Sequence, residues 1–345
     1  MTMPVSFTGG PPSWQARLAS AYYRLMLRRH VPGGHVDVAT LRRRFGQPRA
    51  MRRLFAGRCR VTKTGAPVLG EWLDHPSGSE GGRVVLYLHG GGYLFCSAET
   101  HRPITAALAA MARARVFSLE YRRAPEHPFP AAVDDAVAAV RWLYAQGVSP
   151  ARLTVGGDSA GGGLTLATLL VLRDAGDPLP AGAFLFSPWT DLAATGASIT
   201  ENDGRCAMFY PDGIRPCAAL YHGAASPTHP LVSPLYAELH GLPPLLAQVS
   251  DSELLRDDTR RLVDKVRAAG GTAVLQAWPD LPHVWQLFAT FVPEARVALS
   301  QAAAFTVACT PAGGGTRVYS GHDASPDRAR AAVPADGGTG MHDRS

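Results

Sequence analysis

The chain has 345 residues, of which 46% are apolar and 18% charged, with a formal net charge of +6. That balance supports a sizeable buried core and excludes a wholly disordered chain. No stretch approaches the roughly 20 apolar residues that a membrane-spanning helix needs, and no recognised nucleic-acid module accompanies the basic residues.

The first 60 residues read as a helical segment outside any sheet. Ser13 to His30 alternates apolar residues with arginines at helical spacing, placing Leu18, Tyr22, Leu25 and Met26 on one face. A second short helix is expected over Val38 to Phe45. Around it lie Arg42, Arg43, Arg44, Arg49, Arg52, Arg53, Arg58 and Arg60, expected to form a solvated basic face; the alternative reading is a weak attraction to anionic lipid or acidic partners. The run AYYRLML is too short for the apolar core of a secretory leader. The five cysteines are scattered and form no CxxC pair, which suits a reducing compartment and a cytoplasmic location. Cys96 lies close enough to a glycine cluster to line a site, although a plain buried thiol is its simpler role.

From Val61 onward, apolar β-rich runs alternate with helical patterns. Strands are expected at Arg83 to Leu88, Val116 to Tyr121, Leu153 to Gly157, Ala183 to Ser187, Leu245 to Ser250 and Ala273 to Trp278. Helices are expected at Thr100 to Arg113, Ala131 to Tyr144, Ala160 to Arg173 and Leu254 to Ala269. This alternation predicts an α/β fold with a mostly parallel sheet covered on both faces. Asp191 to His229 breaks the rhythm and reads as an insertion holding one helix, Asp212 to Tyr221. From Thr310, Gly, Pro, Ala, Asp and Arg dominate and no fold is expected. The division is therefore 1–60 (N-terminal cap segment), 61–190 (first core part), 191–230 (cap insertion), 231–309 (second core part) and 310–345 (tail).

In such sheets, function gathers where strands end. After LTVG comes Gly157-Asp158-Ser159-Ala160-Gly161, a G-x-S-x-G sequence at a strand-to-helix junction. The glycines permit a sharp turn that exposes the Ser159 hydroxyl, and the new helix points its free amides at developing negative charge. The strand RVVLYL runs into His89-Gly90-Gly91-Gly92-Tyr93. Its glycine amides can donate to an oxyanion, so the donors are assigned to Gly91, Gly92 and Ala160. Tyr93, which closes the motif, is taken as a substrate contact. His89 is expected to shape the loop rather than move a proton. Neither a P-loop nor a dinucleotide fingerprint occurs, so no cofactor is expected.

A serine nucleophile needs an imidazole and a carboxylate, arriving in the order Ser, Asp or Glu, His. His283, after the strand AVLQAW, is the one histidine downstream of the acid candidates before the tail. The acid is open among Asp251, Glu253, Asp257 and Asp258, with Asp251 and Glu253 at the strand exit. Asp257 and Asp258 are expected to serve as surface charges or structural pairs.

In order, HGGGY, YRRAPEHPFPAAVDDA, GDSAGGG, SPWTDL and PHVWQLF resemble the hormone-sensitive lipase family of bacterial esterases and lipases. The likeness spans about Val61 to Phe291. It implies an eight-stranded α/β-hydrolase core, a helical cap, and cofactor-free hydrolysis of short- to medium-chain carboxylic esters. Where the family usually shows D-P-L-x-D, this chain has Glu253-Leu254-Leu255-Arg256-Asp257, so the resemblance puts the acid on Glu253, with Asp251 in reserve. It also implies that Tyr121 to Pro128 braces the oxyanion loop and that Trp189 to Asp191 is structural. The expected partner is a small-molecule ester; nucleic acid is not expected, and the oligomeric state is open, a homodimer included. The same machinery would serve an amide or formamide. A catalytically inactive ligand receptor, as in the plant gibberellin receptors that share this pattern, is disfavoured by the presence of His283.

Overall fold

A computed structural model describes residues 10–26, 28, 36–46 and 53–311. The sequence features that fall at Arg49, Arg52 and 312–345 lie outside the described residues. Eight strands form one sheet: β1 (Arg60–Thr64), β2 (Gly70–Asp74), β3 (Val84–Leu88), β4 (Arg115–Leu119), β5 (Leu153–Asp158), β6 (Gly182–Phe186), β7 (Leu245–Ser250) and β8 (Ala273–Trp278). Their spatial order is β1-β2-β4-β3-β5-β6-β7-β8. β2 runs antiparallel to both neighbours, and every pairing from β4 to β8 is parallel.

The apolar runs of the central strands are buried on both faces, and their period of two divides them between two helical layers. Val84, Leu86 and Leu88 pack with α4 (Ala131–Ala145) and α5 (Ala160–Asp174). Val85 and Tyr87 pack with α3 (Arg102–Met111) and α8 (Pro293–Cys309) on the opposite face. Ala183, Leu185, Leu245 and Ala247 meet α7 (Arg256–Ala268). Helices α1 (Trp14–Met26), α2 (Val38–Phe45) and α6 (Pro211–His222), with a short helical turn at Ser198–Glu201, lie outside the strand-helix alternation and pack onto these layers: Ala16 and Ala19 on the α3/α8 side, and Leu41, Ile214, Ala218 and Tyr221 on the α4/α5 side. Among the described residues no helix is long and apolar enough to cross a membrane.

Three expectations change. Leu18, Tyr22, Leu25 and Met26 do share a face of α1, but that face is exposed, and the buried face is Ala16, Ala19 and Tyr23. Arg42 is not a solvated charge: its guanidinium donates to Leu94 O (2.8 Å), Ala124 O (3.0 Å) and Glu126, tying α2 to the glycine loop. The described chain also reaches just past the expected start of the tail, to Pro311. Thr310 is fully buried, accepts from Arg83 Nε at 2.7 Å and, through its carbonyl, from Arg152 at 3.0 Å.

One strand in from the sheet edge, Glu71 of β2 and Arg102 of α3 form a buried two-pronged pair, with Nε to Oε1 at 2.8 Å and Nη2 to Oε2 at 2.7 Å. Removing one partner of such a pair strands a buried charge. Glu71→Ala is therefore expected to cost about 3–5 kcal/mol in urea unfolding, with Glu71→Gln losing distinctly less.

Candidate active site

Ser159 occupies the turn between β5 and α5 with φ 51° and ψ −121°, a backbone conformation that L-residues avoid. The turn holds because the chain packs against itself there. A Cβ on Gly161 would lie 2.0 Å from Leu88 O, so only glycine lets α5 start this close to the end of β3. The Ser159 amide donates to Phe186 O at 2.8 Å, and its carbonyl accepts from Gly162, Gly163 and Trp189 amides.

The loop leaving β3 runs beside this turn. Gly91 and Gly92 have φ of 112° and 60°, and a Cβ on Gly91 would lie 2.2 Å from Phe95 O. Among the described residues no acceptor is paired with the amides of Gly91, Gly92 or Ala160. Asp158 joins the loop to the turn. Its buried carboxylate accepts from Tyr87 Oη (2.8 Å) and the Gly90 amide (3.0 Å) and faces His101 Nε2 (3.2 Å). Burial alone would raise its pKa, but the charge and hydrogen bond of His101, with the Tyr87 hydroxyl, hold it below the usual carboxylate value. His89 stacks on Tyr121 (4.2 Å), whose hydroxyl donates to His89 O at 2.7 Å. Ala124 N donates to Tyr93 O at 3.0 Å, so the segment after Tyr121 supports the glycine loop directly.

Glu253 and His283 meet below the cleft. His283 Nδ1 lies 2.5 Å from Glu253 Oε2, and both side chains are buried. Glu253 Oε1 accepts from Ser187 Oγ and the Ser250 amide, each at 2.8 Å. Asp251 points elsewhere, pairing with Arg260 at 2.8 Å on the surface. Asp258 is not a surface charge: it is fully buried and accepts from the Thr190 and Asp191 amides, at 2.9 and 2.8 Å. Asp257 caps the Ser198–Glu201 turn, accepting from Ser198 N at 2.9 Å.

Ser159 and His283 line one open cleft together with Gly91, Gly92 and Asp158. Among the described residues, His283 Nε2 is buried there without a hydrogen-bond partner. Phe209 sets its ring edge-on against His283, with centroids 4.9 Å apart. The remaining walls are apolar: Leu41, Phe45 and Phe95, with Met208, Ile214, Cys217 and Leu255. Cys96 also lines the cleft. Tyr93 departs from its expected place. It is buried, stacks on Tyr221 with centroids 3.6 Å apart, and is not among the cleft-lining residues. Among the described residues no group of three His, Cys, Asp or Glu is arranged to hold a metal ion.

Several cleft residues carry no sequence signal. Ser187 sits at the carboxyl end of β6, and that position was the one available clue to its contact with Glu253. Tyr23, Leu41, Phe45, Met208 and Phe209 come from segments without motifs, and only the folded chain brings them to the cleft.

A parallel sheet with a tight Ser turn and a glycine loop at its carboxyl edge defines the class as an α/β hydrolase. Comparison with known proteins narrows it. A family model described as alpha/beta hydrolase fold matches residues 85–287. An acetyl-hydrolase from Streptomyces hygroscopicus is 47% identical over 243 residues, covering 70% of this chain and 81% of that protein. The carboxylesterase/phospholipase LipF of Mycobacterium tuberculosis is 33% identical over 322 residues, covering 88% and 84%. A crystal structure of an esterase from the bacterial hormone-sensitive lipase family superposes with a TM-score of 0.80 at 40% identity, covering 88% of this chain and all of that one. The chain belongs to the bacterial hormone-sensitive-lipase-like family of α/β-hydrolase-fold esterases and lipases, and it is a carboxylic ester hydrolase.

The loop beside the site carries a pH signature. Burial, then the charge of His101, depresses the His89 pKa from 6.5 to about 3. Between those values the unfolded chain binds a proton that the folded chain refuses, so this stability is present above pH 6.5 and drains away as pH falls toward 3. Urea midpoints at neutral pH and near pH 4.5 should show a shallower acid loss in His89→Asn than in wild type, by roughly 2 kcal/mol.

Proposed function

We propose that the enzyme hydrolyses short- to medium-chain carboxylic esters through an acyl-enzyme on Ser159, with His283 as general base and acid and Glu253 as its orienting carboxylate. The observation that carries this reading is the Glu253–His283 hydrogen bond. It occupies Nδ1 and leaves the other ring nitrogen in the cleft that Ser159 lines. His283 takes the Ser159 proton as the hydroxyl attacks the ester carbonyl. The tetrahedral oxyanion is held by the amides of Gly91, Gly92 and Ala160, each donor worth roughly 3–4 kcal/mol in the transition state. His283 then protonates the leaving alcohol. A water molecule, deprotonated by the same ring, releases the acid. Glu253 fixes the ring tautomer and stabilises the imidazolium.

The apolar walls favour a hydrocarbon portion over a charged one. The N-terminal segment to residue 60 and the 191–230 insertion are assigned to a cap that shapes the substrate, because both send side chains into the cleft. All five cysteines are free, which suits a reducing compartment, and we place the enzyme in the cytoplasm.

Turnover of p-nitrophenyl acyl esters tests the reading. Ser159→Ala should lose at least about 10³-fold in kcat, and equal rates from variant and wild type would refute the mechanism. Glu253→Gln keeps the shape but not the charge, and should lower kcat by about 10³–10⁴-fold with KM little changed, whereas Asp251→Asn should leave both near wild type.

A further inference from the structure

Helix α1 has two apolar faces, and the protein uses one of them. Ala16, Ala19 and Tyr23 are buried, and Tyr23 reaches the cleft. On the other face Trp14, Leu18, Tyr22, Leu25 and Met26 stand in solvent, Trp14 at 65% and Leu18 at 54% exposure. Their spacing confines them to an arc of about 120° at 100° per residue. Phe291, also exposed, meets Trp14 edge-on with centroids 5.5 Å apart and carries the patch onto the loop ahead of α8. A contiguous apolar patch of this kind on a protein surface marks an interaction site.

The charge around the patch says what kind of partner fits. Residues 1–60 hold twelve arginines, no lysine and one acid, Asp37, in a chain whose total is +6, so the rest of the chain is net acidic. Arg17 is exposed at the edge of the stripe. Arg44 of α2 donates to Met26 O at 3.0 Å, which sets the basic turn Arg43–Arg44 against the C-terminal end of α1. The stripe is also held in place. The Ser13 amide and hydroxyl donate to Glu294 at 2.6 and 2.8 Å, and Arg24 donates to Gly204 O and Arg205 O at 2.8 and 2.6 Å. A second copy laid face to face would set one arginine-rich segment against another. An anionic lipid surface satisfies both the stripe and the cations, with Trp14 and Tyr22 suited to the headgroup level.

We propose that α1 docks the enzyme on an anionic lipid surface, laying its outer stripe into the headgroup region while its inner face stays on the cleft. The helix that touches lipid is then the helix that supplies Tyr23 to the substrate wall, so esters dissolved in that surface reach the cleft without crossing bulk water.

Cosedimentation of the full chain with vesicles tests this, using about 30 mol% phosphatidylglycerol in phosphatidylcholine against phosphatidylcholine alone. Wild type should pellet with the anionic vesicles, and less so at high salt. Leu18→Asp/Tyr22→Asp should weaken partition by about tenfold or more, and Arg17→Glu/Arg43→Glu should weaken it on anionic vesicles. Both variants should turn over a dissolved p-nitrophenyl ester as wild type does, which shows that they fold. Ser159→Ala should pellet normally, so lipid docking and the hydrolytic reading fail separately. The proposal is overturned if wild type ignores anionic vesicles, or if the Leu18→Asp/Tyr22→Asp protein pellets undiminished. It is equally overturned if the stripe instead drives a dimer that Leu18→Asp dissolves.

Discussion

The constraint on which the rest depends is a single buried carboxylate. Glu253 is almost wholly shielded from water, and a charge in that position is tolerable only if each oxygen is paired. Its partners are Ser187, at the end of β6, the Ser250 amide, at the end of β7, and His283, after β8. Three strand ends can meet at one carboxylate because β6, β7 and β8 are parallel neighbours in register, with Phe186 beside Gln248 and Ser250 beside Trp278. The order of these three strands thus gives the buried carboxylate its partners.

A second buried carboxylate, Asp158, sits next to Ser159 in sequence, and the two acids divide the work. Both Asp158 oxygens are taken by groups that build the loop: Tyr87, the Gly90 amide and His101. Glu253 instead spends one oxygen on a ring whose far nitrogen lies in the cleft. The same contrast separates the histidines. His89 is stacked on Tyr121, its Nδ1 is 2.7 Å from Gly90 O, and its pKa is driven to about 3, so it cannot accept a proton near neutrality. Their surroundings thus separate a residue that shapes the glycine loop from the one proposed to transfer protons, although the residue types are the same.

How much could be read from the chain alone follows from what each element buries. β7 and β8 match their sequence bounds because short, mostly apolar runs with one glutamine each, Gln248 and Gln276, lie between turn residues and admit one reading. β1, RVTKT, is largely exposed at the sheet edge and carries no such run, so its pairing with β2 comes from tertiary context. α8 escaped for the opposite reason. Its 17 residues are rich in alanine and apolar almost all round, packed in a helical layer, so no polar face marks a period. Asp251 and Glu253 were inseparable by spacing, since two residues of a turn can point anywhere. The structure sends one to Arg260 and the other to His283. Tyr93 misled because its neighbours in the glycine loop face the cleft, while its own φ of 63° turns it toward Tyr221.

Reaction and selectivity are written in different parts of the chain. The groups proposed for chemistry stand at ends of core strands, where glycines and strained turns leave sequence marks. The walls that meet the substrate come from α1, α2 and the insertion around Met208 to Cys217, where the requirement is only that side chains be apolar and of suitable volume. Many residues meet that requirement, so no motif forms. Contacts with the core still fix these walls: Phe45 stacks on Phe95 at 4.6 Å, and Arg42 binds carbonyls of the glycine loop and the segment that supports it. The segments proposed as a cap are thus tied to the loop that would hold the oxyanion. Phe45 stacks on Phe95, and the Leu94 and Phe95 amides donate to Gly91 O, so under the mechanism proposed above a change of wall at Phe45 would reach the oxyanion loop and tie acyl selectivity to rate.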